Sequence, residues 1–405
     1  MRFIQQNTIR KNIVSTNFSA DNNIILTMKF FKYILLITLF FVVGCSKNRV
    51  SSNFKPKNNI TFDVGFNPSF EFCGSFFDKK NSNELIYFAD PVTNKVIKFF
   101  NPNGKIQDSI SLKNLSKATS TILSLKVISK DTLLFFNYTQ IIAVNSKGNV
   151  FKLIDLQFLT QNDPSNEIYE FMSNNEANKN SLLLGLNWVK NKNENKDLSD
   201  VEYFSESFKK PSIIKINKFL SDSISYTYSS HNHYNSLYNS PKIFSERFRY
   251  KQTNNKVFLI SFFSNNLLEY DINKLVVLKK IPIVSDFTKI GIEPLKVDDP
   301  DFSSETVIQK NKMAGAITGL FYNYKTKQYI VLVRHQIEKD FVYKEKERPF
   351  SIIRYDKSFN KISEVVANKE QFDYYGYNLI QTQNGIIILN NKNTNDKKLS
   401  FSIFD

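Results

Sequence analysis

Cysteine is nearly absent from this sequence. Its 405 residues include only Cys45 and Cys73, too few for a disulfide-stapled scaffold. If Cys45 is lipidated, as argued below, Cys73 has no partner and is read as a small buried apolar residue. Tryptophan occurs once, at Trp188, so there is no run of aromatic platforms on which sugars or bases could stack. Alanine is scarce, which argues against a helical bundle. No apolar run is long enough to cross a hydrocarbon core of about 30 Å. The Ser-His-Asp order, the nucleophile elbow, the phosphate loop and the dinucleotide fingerprint are all missing, so no catalytic residue is assigned. Glycine, at eleven, is low for a turn-rich fold, and Asn and Asp are expected to take its left-handed positions.

What is present is β-forming and apolar. Hydrophobic residues make up 41% of the chain, with 38 Phe and 19 Tyr, enough for a sizeable core built from strands. The formal charge is +16. From Cys45 onward, 49 Lys and Arg stand against 37 Asp and Glu, a balance of +12. These cations alternate with polar residues and form no long basic run. They read as a solvated surface, and no nucleic-acid partner is expected.

The clearest local signal is a targeting segment inside the chain. Met28-Lys29-Phe30-Phe31-Lys32 supplies a positive start, and residues 33–43 are apolar apart from Thr38. The run closes on Val42-Val43-Gly44-Cys45, which resembles a lipoprotein signal cleaved before an acylated cysteine. Val43 and Gly44 precede the cysteine, with Val in place of the more usual Ala or Ser. The expected organisation is an upstream non-native start at 1–27, a lipoprotein signal peptide at 28–44, a polar tether at 45–59 and a folded body at 60–405. Ser46-Lys47-Asn48-Arg49 lacks acidic residues of the kind that direct surface export. The expected location is therefore the outer membrane, on its periplasmic side, with the membrane reached through the lipid on Cys45.

A five-residue block recurs six times in the body, starting at 97, 141, 213, 267, 352 and 401. Examples are Ile97-Lys98-Phe99-Phe100-Asn101, Ile141-Ile142-Ala143-Val144-Asn145 and Ile352-Ile353-Arg354-Tyr355-Asp356. Most blocks close on Asn or Asp and enter a turn such as Asn101-Pro102-Asn103-Gly104-Lys105. Two further β-rich runs precede each block, and a fourth strand follows each of the first five. Six four-stranded antiparallel units predict an all-β, six-bladed β-propeller. The sixth unit has only three strands up to Asp405. The spare strand near residues 60–66 is expected to complete it and close the ring. Three stretches fall outside the blades: 190–210, 231–241 and 284–315, the last with a short helix from Ser303.

With these features in place, residues 28–405 resemble a Bacteroidota family of six-bladed propeller lipoproteins, a domain of unknown function. The resemblance rests on Tyr87-Phe88-Ala89-Asp90-Pro91 with Thr93-Asn94-Lys95, and on Glu246-Arg247-Phe248-Arg249-Tyr250. It also rests on Ser351-Ile352-Ile353-Arg354-Tyr355-Asp356 with Ile362, and on Asn384-Gly385-Ile386-Ile387-Ile388-Leu389. It implies a fold and an envelope location, and it brings no activity.

Three constellations bear on function. Arg247 and Arg249 alternate with aromatics on the innermost strand of blade four, where fork-shaped cations facing a channel could grip a carboxylate or phosphate. They are the candidate ligand-binding pair. His231 and His233 could be half a metal site, but the only other histidine is His335 and no nearby Cys or Glu completes a set, so the pair read as polar loop histidines and no metal site is assigned. Asp298-Asp299-Pro300-Asp301 resembles a calcium ligand cluster but has no EF-hand spacing or glycine, and solvated loop acids are expected with no cofactor. The chain therefore reads as a non-catalytic, membrane-anchored module binding a protein, a peptide or a small anionic ligand. The alternative is a propeller-type hydrolase, lactonase or lyase working at the channel mouth.

Overall fold

The computed structural model describes residues 56–404, apart from 79, 116–121, 138, 158–165, 172–180, 189–209, 230–248, 254–255, 262–263, 272, 293–303, 339–347, 368–371, 373–378 and 391–396. The first strand, β1, is Asn59–Asp63. Blade one follows as Cys73–Asp78, Asn83–Asp90, Val96–Phe100 and Ile106–Ser111 (β2–β5). Blade two is Ser124–Ser129, Thr132–Phe136, Gln140–Val144 and Val150–Asp155 (β6–β9). Blade three is Asn166–Phe171, Ser181–Trp188, Ile213–Asn217 and Ser225–Tyr228 (β10–β13), and blade four is Arg249–Thr253, Lys256–Ile260, Asn266–Asp271 and Val277–Pro282 (β14–β17). A helix, Ser304–Met313 (α1), precedes blade five, which is Ala316–Asn323, Gln328–Arg334, Phe350–Tyr355 and Lys361–Ala367 (β18–β21). Blade six takes Leu379–Thr382, Gly385–Leu389 and Lys398–Phe404 (β22–β24), and its sheet order is β1-β24-β23-β22.

Six antiparallel four-stranded sheets in a ring make a six-bladed β-propeller. Each blade's first strand lies at the inner edge: β2 sits beside β6 and β22, and β18 beside β14 and β22. Six apolar clusters hold the ring, each built from two neighbouring blades. Strand alternation feeds both sides at once. Leu182 and Leu184 of β11 face blade two, whereas Leu183 faces blade four. Middle strands buried on both faces read as continuous apolar runs, which is why the recurring block was visible in the sequence.

That block lies on the third strand of every blade, and in blades one, two, four and five its closing Asn or Asp makes the following turn. Asn101 Oδ1 accepts from Asn103 N and Lys105 N, both at 3.0 Å. Asn145 repeats this with Lys147 N and Asn149 N, and Asp356 with Ser358 N and Asn360 N. A register shift falls between the third and fourth block positions in four blades. These are bulged hairpins needing one left-handed residue. Gly104 (φ +84°) and Gly148 (φ +76°) supply it in blades one and two, whereas Leu275 (φ +53°) and Phe359 (φ +64°) do so in blades four and five.

Blade six closes on β1. Asn59 to Asp63 pair antiparallel with Ser402 back to Lys398. The ladder begins earlier than the 45–59 tether boundary read from sequence: Lys57 N already bonds Ile403 O at 3.1 Å, and Ile403 N bonds Asn58 O at 3.0 Å. The outward-facing polar residues there hid the pairing. Phe62, fully buried, meets Phe88 at 5.2 Å, Phe100 at 5.5 Å and Phe401 at 5.7 Å between ring centroids. One such side chain contributes roughly 1.5–3 kcal/mol by burial. Cys73, expected to be buried, is only partly so. It opens inner strand β2, packs against this same core and donates its thiol to Ser69 O at 3.4 Å.

Candidate functional site

Inner strands position the first candidates. Arg249 opens β14 opposite Ile260 of β15. Its side chain and all of Arg247 lie outside the described residues, as do Cys45, His231, His233 and Asp298 to Asp301. Two residues along β14, Lys251 places Nζ 4.8 Å from the ring centroid of Phe321 in β18, a cation–π contact between two inner strands. On β6, Lys126 is buried, and desolvation pulls its ammonium down to about 8. Among the described residues no group of three or more His, Cys, Asp or Glu is arranged to hold a metal.

The densest polar assembly lies between blades four and five, on the connection 284–315, and it fastens that connection at both ends. At the near end, Tyr355 of β20 donates its hydroxyl to Val284 O at 3.1 Å and accepts from Val284 N at 3.2 Å. Burial lifts this phenol to about 12, so its proton is retained. Glu364 of β21 is buried and receives Ser285 Oγ at 2.5 Å and Asp286 N at 2.8 Å. Lys361 bridges Glu364 at 2.6 Å and Asp286 at 2.9 Å. Phe287, beside this anchor, stays exposed.

At the far end stands Arg348, fully buried. Its guanidinium donates to Lys312 O at 2.5 Å, Met313 O at 3.0 Å and Ala314 O at 2.5 Å, and Nε donates to His335 O at 2.7 Å. A helix leaves its last carbonyls without partners, and a cation there satisfies them and complements the helix dipole. Lys312, Met313 and Ala314 are the C-terminal end of α1, so Arg348 pins the helix to blade five.

His335 immediately follows β19. It is 8% exposed, and its Nε2 lies 2.7 Å from Ser351 Oγ on β20. Burial holds its imidazole below the usual histidine range, with Arg348 acting the same way and Glu364 opposing them. A serine beside a histidine suggests a nucleophile, but Ser351 is itself fully buried and faces blade four from within the sheet. The pair fixes the end of β19 against β20. Sequence reading passed over Arg348, Glu364 and Tyr355 because they come from two strands and the segment before β20, with no motif between them. The one local cue was Arg348 just before the apolar strand at Phe350.

No family model and no curated protein matches the sequence. A member of the DUF4221 family from Bacteroides vulgatus superposes with a TM-score of 0.64 at 13% identity, covering 87% of this chain and 97% of that one. At this identity the likeness concerns the fold. A Bacteroides fragilis protein classed as exported gives a TM-score of 0.46 at 10% identity, over 86% of this chain and 94% of that one. No helix among the described residues is long and apolar enough to cross a membrane.

Proposed function

We propose that the protein is a lipid-anchored envelope module whose propeller binds a protein, a peptide or a small anionic ligand. The observation that carries this reading is the double fastening of the connection 284–315. Tyr355 and Glu364 hold its start, and Arg348 holds the helix before its end. A long loop held at both ends by a rigid ring is the usual way in which such scaffolds present a recognition surface. Asp298, Asp299 and Asp301 belong to this connection, and Phe287 is exposed at its start. Calcium on those acids is a weaker reading.

The membrane address rests on the sequence around Cys45. A lipid there would leave twelve steps to Lys57, where pairing starts, a reach of roughly 40 Å at about 3.3–3.6 Å per residue. The periplasmic face of the outer membrane follows from the non-acidic stretch after Cys45. Arg247 and Arg249, the second of which opens inner strand β14, remain the proposed anion grip.

Two measurements test the proposal. In the native host, Cys45→Ser should release the protein into the soluble fraction, and the parent should carry acyl chains by mass spectrometry. A parent without lipid would end the anchor. Separately, the melting midpoint should rise with inorganic phosphate or with poly-glutamate in the parent but not in the double variant Arg247→Ala, Arg249→Ala. A parent indifferent to both probes would remove the anionic ligand.

A further inference from the structure

The seam between blades six and one contains a buried acid that the proposed function does not use. Glu84, on β3, is 7% exposed. Its Oε1 accepts from Gln383 N at 2.7 Å and lies 3.0 Å from Ser75 Oγ on β2. Ser75 Oγ also lies 2.6 Å from the carbonyl oxygen of Gln381 on β22, 306 positions away in sequence. One hydroxyl therefore joins the inner strands of the first and last blades.

These contacts require more protons than the serine holds. A hydroxyl has a single proton, and both oxygens beside it are acceptors when Glu84 is ionised. If Ser75 donates to Gln381, the 3.0 Å contact sets a carboxylate oxygen against a lone pair. If it donates to Glu84, the same conflict arises at 2.6 Å on the Gln381 side. A proton on Glu84 resolves both, and of the three groups only Glu84 titrates.

The surroundings favour the neutral acid. Phe77 faces Glu84 across the strand pair, and Ile86, Phe88, Ile380 and Ile387 continue the apolar seam. Of the charged residues in the neighbouring turns, Lys79 lies outside the described residues, Lys80, Lys325 and Lys327 are exposed, and Asp78 accepts from Lys80 N and Asn81 Nδ2 within its own turn. The hairpin of blade six brings Gln381, Thr382 and Gln383, and that of blade five brings Tyr324, whose N–H bonds Gln383 O; none of these is a charged side chain. Burial, the largest cause, raises the Glu84 carboxyl from 4.5 to about 7, against the hydrogen bonds from Gln383 and Ser75.

We infer that the closure of the ring is a proton-gated latch, in which neutral Glu84 holds blade six on blade one and its ionisation loosens that seam alone. The sign follows from linkage. Below pH 4.5 the acid is neutral whether the seam is closed or open, and the latch is at full strength. Between 4.5 and about 7 the open seam releases its proton first, so rising pH favours opening. Above about 7 both forms are ionised and the loss is complete.

The test is hydrogen exchange of the full chain at pH 5 and pH 8, corrected for intrinsic rates, comparing peptides from β1, β22 and β24 with peptides from β19 and β20. Seam peptides should lose protection on the order of a hundredfold between the two values, while those of blade five stay constant. In Glu84→Gln the seam's dependence should vanish. Identical seam profiles in parent and variant would overturn the latch. Should Glu84→Gln fail to fold, infrared spectroscopy of the parent with labelled glutamate decides instead. A neutral-carboxyl band at pH 5 that disappears near pH 7 supports the inference, and its absence at pH 5 refutes it.

Discussion

Phe359 lies nearly flat on Tyr329, with ring centroids 4.3 Å apart and planes 17° apart, although its own backbone is left-handed at φ +64°. Blades one and two place glycine at this turn position. Here a large side chain bears the backbone strain because its ring fills the space between Tyr329, Phe258 and Tyr355. Removing the ring costs about 3 kcal/mol, and relieving a left-handed non-glycine residue returns about 1 kcal/mol. Phe359→Gly should therefore be less destabilising than Phe359→Ala, the reverse of the usual order. Urea midpoints of the two variants check it; an equal or lower midpoint for Phe359→Gly refutes the strain.

Arg348 should prove the most sensitive side chain of the blade five junction. Arg348→Ala removes four hydrogen bonds, two of them buried, to the carbonyls of His335 and Ala314, and should cost about 3 kcal/mol or more. Asp286→Ala removes an ion pair between partly exposed groups while leaving Lys361 on Glu364, and should cost about 1 kcal/mol or less. Limited proteolysis adds a local readout: cleavage within 284–315 should accelerate in Arg348→Ala well before the blades open.

The buried imidazole of His335 gives a pH dependence of opposite sign to that of Glu84. Its folded pKa lies below the unfolded 6.5, so the unfolded chain takes up the proton first as pH falls. Its contribution is present above 6.5 and is lost as pH drops through the folded value. Between pH 7 and pH 5 the urea midpoint of the parent should fall relative to that of His335→Gln. An identical slope in the two chains would place the effect elsewhere.

Truncation locates the working edge of the ring. Removing residues 46–55 should leave the melting midpoint unchanged, because pairing starts with Lys57 and Asn58. Removing residues 46–63 takes away β1 with the buried Ile60 and Phe62, and should lower the midpoint by many degrees or prevent folding. Equal midpoints would show that β1 is dispensable.

The parts of this fold that were legible in the sequence share one physical cause. Third strands such as Ile141 to Val144 are buried on both faces and close on an Asn or Asp that makes the turn, so they combine an apolar run with a fixed punctuation. Outer strands such as β5, where only Ile110 is buried, carry little signal alone. The junction around Arg348 was not legible, since its partners are main-chain carbonyls, which every residue carries. The burial of His335 was not legible either, because segments distant in sequence cover it: the next residues, Gln336 and Ile337, bond Thr288 Oγ1 of the connection and Met313 O of α1.

Gly104 and Gly148 show what β1 means for the way the ring is made. A side chain on Gly148 would run into Ser111 O of the outer strand of blade one, and one on Gly104 would run into Thr61 O of β1 in the same manner. The turn of blade one thus treats β1 as the outer strand of a blade that has yet to be synthesised. Asn59 and its partner Ser402 are 343 residues apart. At bacterial elongation rates of 5–20 residues per second, that gap amounts to roughly half a minute. Throughout it β1 lacks the strand it pairs with, and blade one has only one finished neighbour. Whatever keeps the nascent or translocating chain from aggregating must therefore shield residues 57–66 longer than any other segment of the ring.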